Sequence, residues 1–389
     1  MDIRNAFTAE DQRYMVELRR RIHRRPELGF DLPETVALVK QELEKLGISY
    51  TEEYGKCSVV ATLGAGARTV ALRGDMDALP MEELTELPFK SQIPGVMHSC
   101  GHDAHTAILL GAAKVLKRLE DQLPCRVKLL FQPSEEGTVS GAEMMARAGA
   151  VEDVDEVLAL HQDIGVPVGK LGLYSGDYMA ACHPYKITFH GKAAHATQPQ
   201  NGHDALAMAV KAYNDIYLMK CREISPFEQN VLSISCLHAG TAHNVIPDTA
   251  VMEVSFRFFS MELHDRVDAR IRQICENAAA ELGGTVEFEG SISAPPVYND
   301  PALAGRMKAA GEKVVGVGNV IPVPPRMGSD DYSHFIQGRP GVLFRLGNGN
   351  PEKGCTYPSH NSRFMLDEDI LAIGCMAFCQ YVLDQKTAP

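Results

Sequence analysis

Apolar residues recur at helical spacing over residues 9–25 and again over 33–46, where Pro33 suits a first turn and Gly47 a stop. The pattern then shortens. The runs "SVVATLG" (58–64), "TVALRG" (69–74), "RVKLLFQ" (126–132) and "EVLALHQ" (156–162) read as buried strands. Between the second and third lies "DAHTAILLGAAKVLKRLE", which predicts a long helix over 103–120. Strands alternating with helices predict an α/β sheet.

The middle of the chain has a different rhythm. "YKITFHG" (185–191) alternates as a half-exposed strand does. A helix over 203–220, strands over 230–240 and 249–258, a helix over 262–282 and a strand over 285–291 follow. The order β-α-β-β-α-β is that of a complete small ferredoxin-like sandwich. The expected division is therefore 1–182, an inserted domain at 183–297, and a return to the first domain at 298–389. The return holds "GVLFRLG" (341–347) as a strand and a last helix over 367–384. No internal repeat or low-complexity linker interrupts this order.

Composition narrows the function classes. Of 389 residues, 45% are hydrophobic and 23% charged, which supplies a sizeable core. A net charge of −12 argues against a nucleic-acid partner, which needs a basic face. The one basic cluster, "RRRIHRR" (19–25), reads as the solvated face of a surface helix. The ten Cys are scattered and form no disulfide framework or zinc ribbon. The first twenty residues lack the apolar stretch of a signal peptide, and no run approaches the roughly 18 apolar residues of a membrane span. A soluble, reducing, cytoplasmic setting is the expectation.

Candidate chemistry collects just past the strands. Asp75 and Asp77 follow 69–74, Glu135 and Glu136 follow 126–132, and His161 ends 156–162. In open α/β sheets ligands bind beyond the carboxyl ends of strands, so these residues point to one crevice. Pro133 places "PSEEG" in a loop, where the Glu pair is either solvated or set around a metal, one as ligand and one as base. In "HSCGHDAHTA" (98–107) Cys100 and His102 suit zinc, while imidazole with carboxylate also suits manganese or cobalt. His98 could pair with His102, and Asp103 and His105 fall where a helix begins. A thiol hydrolase with Cys100 as nucleophile and His102 or His98 as base is the rival reading. It leaves the Glu pair and His161 without roles. His195 in "GKAAHATQP" and Asn244 in "AHNVIPD" sit in loops, either as plain loop polarity or as site residues. "PRMGSDDYSHF" (325–335) and "YPSHNSRF" (357–364) are polar loops of the kind found over a binding crevice.

Together, "RRIHRRPELGF", "LRGDMDALPMEE", "HSCGHDAHTA", "FQPSEEG", "GKAAHATQP", "HNVIPD", "GSDDYSHF" and "YPSHNSRF" resemble, in order and over essentially the whole chain, the two-metal amidohydrolases. This is the aminoacylase, hippurate hydrolase and indole-acetyl-amino-acid hydrolase group, within the wider aminoacylase/carboxypeptidase G superfamily. The resemblance implies a zinc-peptidase-like catalytic domain, a mixed sheet flanked by helices, with an inserted lid of βαββαβ type. It implies two divalent ions (manganese, zinc or cobalt) held by Cys100, His102, Glu136, His161 and His360, with Cys100 bridging. It makes Glu135 the general base, His195 the lid histidine that reaches an active site, and Asn244 and Arg257 substrate-binding positions.

Two departures from the wider superfamily matter. Met76 stands where many members have a ligating His, and Cys100 where they have a bridging Asp. The hippurate-hydrolase branch shares both changes, with His102 replacing the missing ligand and Asp77 orienting one. The implied reaction is hydrolysis of an N-acyl-L-amino acid to a carboxylic acid and a free amino acid. A dipeptidase or carboxypeptidase is the alternative. A homodimer, or a larger oligomer built from dimers, through the lid is the implied assembly. No stretch identifies the acyl group.

Overall fold

The computed structural model describes residues 1–385. In chain order the first stretch holds α1 (Ala9–Arg24), α2 (Pro33–Lys45), β1 (Tyr50–Thr51), β2 (Val59–Leu63), β3 (Thr69–Asp75), α3 (His102–Arg118), β4 (Arg126–Gln132), α4 (Gly141–Arg147), β5 (Glu156–Pro167), β6 (Leu171–Leu173) and β7 (Gly176–Met179). The middle stretch holds β8 (Ala181–His190), β9 (Ala194–His195), α5 (Ala205–Glu223), β10 (Asn230–Ala239), β11 (Val245–Ile246), β12 (Thr249–Phe258), α6 (Met261–Glu281) and β13 (Thr285–Glu289). The last holds β14 (Val297–Asn299), α7 (Pro301–Val315), β15 (Val320–Pro322), β16 (Gly341–Gly349) and α8 (Ile370–Leu383). Contacts divide the chain into two compact units. The second comprises Met179–Val297 with Arg326–Ser329, and the first comprises the rest.

The first unit is built on an eight-stranded mixed sheet in the order β1-β2-β4-β3-β5-β16-β6-β15. Strand β3 is buried at every position, as a central strand covered on both faces must be. Its neighbours β4 and β5 run parallel to it, with Asp75 opposite Gln132 and Arg73 opposite Ala159. Three strands therefore end on one side of the sheet, and the loops after them share that side. Helix α3 is buried along nearly its whole length and packs on α1 and α8. A capping box starts α1, with Thr8 and Asp11 satisfying each other's amides. Helix α7 lies in a stretch for which the periodicity reading named no helix. Asp300 caps it and Pro301 opens it.

The second unit is a four-stranded antiparallel sheet, β10-β12-β8-β13, with α5 and α6 packed together. The chain order is β8-α5-β10-β12-α6-β13. Strand β8 alternates, burying Ile187 and Phe189 while Lys186 faces out. A short ribbon pairs His195 on β9 with Val245 on β11, and the Ala196 amide donates to the Asn244 carbonyl at 2.9 Å. Among the described residues no helix is long and apolar enough to cross a membrane.

Candidate metal centre

The site of the first unit is built outward from a buried arginine. Arg73, inside β3, reaches Asp75 at 2.5 Å, Asp331 at 3.2 Å, Asp330 at 3.3 Å and the Gln132 side chain at 2.8 Å. Burial works against the Asp75 charge, but Arg73, His102 and His105 hold its carboxyl well below the usual range. Asp75 in turn accepts from His105 Nδ1 at 2.7 Å, while His105 Nε2 accepts the Gln162 amide at 3.2 Å. Both His105 nitrogens are thus engaged, and the ring is a structural tie between β3 and β5.

Asp77, two residues on, organises the next layer. Its two carboxylate oxygens accept the amides of Glu135 and Glu136, each at 3.0 Å, and its carbonyl accepts from His102 Nδ1 at 2.8 Å. A carbonyl can only accept, so His102 carries a proton on Nδ1 and turns Nε2 inward; burial opposes charge on the ring, but Asp75 and Cys100 push its pKa well above the usual imidazole value. His102 opens α3 directly after Gly101, whose φ of 93° is left-handed. A Cβ at 101 would lie 2.8 Å from the Gln162 side chain. The Glu loop is also constrained. Ser134 has φ 51°, and a Cβ on Gly141 would stand 1.8 Å from the Pro133 carbonyl oxygen.

His161 repeats the logic of His102. Its Nδ1 donates to the Gln162 carbonyl at 2.7 Å, leaving Nε2 3.2 Å from Cys100 Sγ. His360, with φ 63°, places Nε2 2.9 Å from Glu136 Oε1. Backbone strain in a non-glycine residue persists only where the surroundings enforce it. His102 Nε2 lies 3.8 Å from Glu135 and 4.0 Å from Glu136. The structure thus gathers Cys100 with His102 and His161, Cys100 with Glu136 and His360, and His102 with Glu135 and Glu136. Within each group the donor atoms lie within 4.8 Å of one another. Cys100 belongs to two of these groups, the place a bridging atom would take.

Electrostatics and unspent atoms both fit a cationic occupant. Burial, followed by the charges of Asp330, Glu136 and Asp331, pushes Glu135 well above the carboxylate range. Burial, with Arg345 and His105 nearby, pushes His161 well down, so the ring is neutral and able to ligate. Cys100 and Glu136 hydrogen bonds push His360 up to about 10. His102 Nε2 is buried without a close hydrogen-bond partner, whereas Asp75 Oδ2 pairs with Arg73 and Glu136 Oε1 with His360. Thiol, imidazole and carboxylate donors around a crowd of carboxylates suit two divalent cations, which would supply both a partner for His102 Nε2 and the missing positive charge.

The other residues of "HSCGHDAHTA" serve different ends. Asp103 takes Arg19 at 3.0 Å and His23 at 2.8 Å, tying the start of α3 to α1. His98 is buried with neither ring nitrogen hydrogen-bonded, and burial pulls its pKa down to about 3. His195, Asn244 and Arg257 belong to the second unit. His195 is exposed, and its Nδ1 accepts the Thr197 amide at 3.2 Å, so a neutral ring presents Nε2–H. Arg257 donates to the Met327 carbonyl at 2.7 Å. Arg73, Asp330 and Asp331 were not singled out from sequence. The cue was available in Arg73, a cation in an otherwise apolar strand that must find carboxylates.

The sequence profile of peptidase family M20/M25/M40 matches residues 71–384. The chain is 36% identical over 373 residues to thermostable carboxypeptidase 2 of Saccharolobus solfataricus, covering 95% of this chain and 94% of that one. It is 37% identical over 384 residues to an IAA-amino acid hydrolase of Arabidopsis thaliana, covering 96% and 87%. It is 34% identical over 366 residues to an N-acetyl-L-cysteine deacetylase of Bacillus subtilis, covering 94% and 86%. A solved dinuclear metal-binding peptidase of the M20 family from Bacillus subtilis superposes with a TM-score of 0.82 at 29% identity, covering 97% of this chain and 98% of that one.

Proposed function

The chain belongs to peptidase family M20/M25/M40 and is a hydrolase of amide bonds; from that premise we propose that it splits N-acyl-L-amino acids into a carboxylic acid and a free amino acid. The observation that carries this reading is the pair of donor groups sharing Cys100, with Glu135 beside them. The names of the Arabidopsis and Bacillus relatives favour an acylated amino acid as substrate. A carboxypeptidase is the second reading, favoured by the Saccharolobus relative.

Cys100, His102, Glu136, His161 and His360 would hold two ions of the manganese, zinc or cobalt class. When bound, the ions supply Lewis acidity that polarises the amide carbonyl and acidifies the attacking water. Glu135 takes the proton of that water and returns it to the leaving nitrogen. Asp77 keeps Glu135 and Glu136 at a fixed spacing through their amides. On the resemblance, residues 183–297 form the lid through which two chains pair, His195 donates to the developing oxyanion, and Asn244 and Arg257 hold the substrate. A panel of N-acyl amino acids and dipeptides, offered to the manganese- and zinc-loaded enzyme, tests the reading. Turnover of the N-acyl amino acids is expected. Turnover confined to peptides would transfer the assignment to the carboxypeptidase reading.

A further inference from the structure

We propose that the second unit carries a metal site of its own, formed by His183, His264 and Asp268 and suited to zinc. His183 stands on β8, opposite Phe256 of β12. His264 and Asp268 lie four residues apart on α6 and so share one face of that helix. The three side chains bring donor atoms within 4.8 Å of one another. His183 and His264 are 5% and 7% exposed, and the Phe258 ring lies 4.7 Å from that of His264.

The ring nitrogens are arranged as in a ligand set. His264 Nδ1 lies 2.9 Å from the Asp265 carboxylate, which can only accept, so the ring turns a bare Nε2 inward. That Nε2 is 2.8 Å from His183 Nδ1. Cys100 Sγ and His161 Nε2 of the first unit show a similar close approach, at 3.2 Å. A hydrogen bond between the two rings would account for those two nitrogens. His183 also hydrogen-bonds to the Gly290 backbone, which leaves Nδ1 as the ring nitrogen facing His264, and the Tyr185 hydroxyl hydrogen-bonds to Asp268. Arg272 engages Asp268 Oδ2, at 2.9 Å. A cation between the three residues would take up Asp268 Oδ1. Two imidazoles and one carboxylate are a donor set zinc accepts, with the fourth position open to Tyr185 or water. Such an ion would pin strand β8 to helix α6 across the core of the unit. The site shares no residue with the amide-cleaving centre, and its assignment does not depend on that one.

Full-length protein, stripped of metal and titrated with zinc, tests the proposal by mass-spectrometric metal counting and by thermal melting. The parent should bind one equivalent more than either His264→Gln or the near-isosteric Asp268→Asn, with the remaining equivalents retained in both variants. Zinc should raise the parent's melting temperature by more than that of either variant. An unchanged zinc count in a variant that keeps its circular dichroism spectrum would overturn the site.

Discussion

His102 donates its Nδ1–H to the backbone carbonyl of Asp77 across 2.8 Å. Asp77 also receives the amides of Glu135 and Glu136 on its carboxylate, so one residue sets both a ring on α3 and the loop after β4. Asp77→Asn puts an NH2 group where an amide N–H needs an acceptor. Metal affinity should fall by about 10- to 100-fold, the usual cost of losing a partner that orients ligands. Competition against a chelator of known affinity measures this. Unchanged affinity would remove Asp77 from the role.

Glu135 is assigned to proton transfer and Glu136 to metal, although the two are adjacent. Glu135→Gln should therefore keep the metal content while kcat falls by roughly 10²- to 10⁴-fold. Metal analysis and steady-state kinetics on the same preparation check both halves. Near-normal turnover would mean that another group moves the proton.

Cys100 Sγ sits 3.2 Å from His161 Nε2, a spacing that a thiol–imidazole nucleophile would also show. Chelation separates the two chemistries. Stripped protein should lose activity and regain it on adding manganese, zinc or cobalt. If the stripped protein keeps turning over, Cys100 is a nucleophile and the metal reading fails.

Away from the site, Asp11 couples the start of α1 to Arg118 of α3, with contacts of 2.8 and 3.1 Å. Burial opposes its charge, but Arg118 and Thr8 pull its pKa down to about 2. The folded value lies below the unfolded one, so this stabilisation is present in full above the unfolded pKa. It is lost as pH falls through the folded value. Arg118 is 40% exposed, and screening limits the effect to about 1 kcal/mol. Asp11→Asn should lower stability by that order at pH 7, and the gap should narrow as pH falls from 5 to 3. Urea melts of both proteins across that range measure it. A constant gap would show that the charge contributes nothing.

The frame of the site was legible because β3, β4 and β5 announce themselves as apolar runs and each hands over to polar residues. Grading within "HSCGHDAHTA" was less accessible. His102 and His105 look alike in sequence, and what separates them is Asp75 and Gln162, 30 and 57 residues from His105. Asp330 and Asp331 read as part of a polar surface loop, yet they are 3% and 5% exposed because Arg73 needs them beneath the sheet. Helix α7 was open to notice in "DPALAGRMKAAGEKVVG", which carries an N-cap Asp, a first-turn Pro and a closing Gly.

Strand β16 lies between β5 and β6 in the sheet, although the chain makes it more than 160 residues after β6. During synthesis β5 therefore leaves the ribosome with one edge open and stays so while the whole of residues 179–297 is made. An unpaired inner strand is a template for wrong partners. His360 follows β16, so the full donor set can meet only near the end of translation. Nascent chains stalled before residue 341 should accordingly be the species most dependent on chaperones and least able to retain metal.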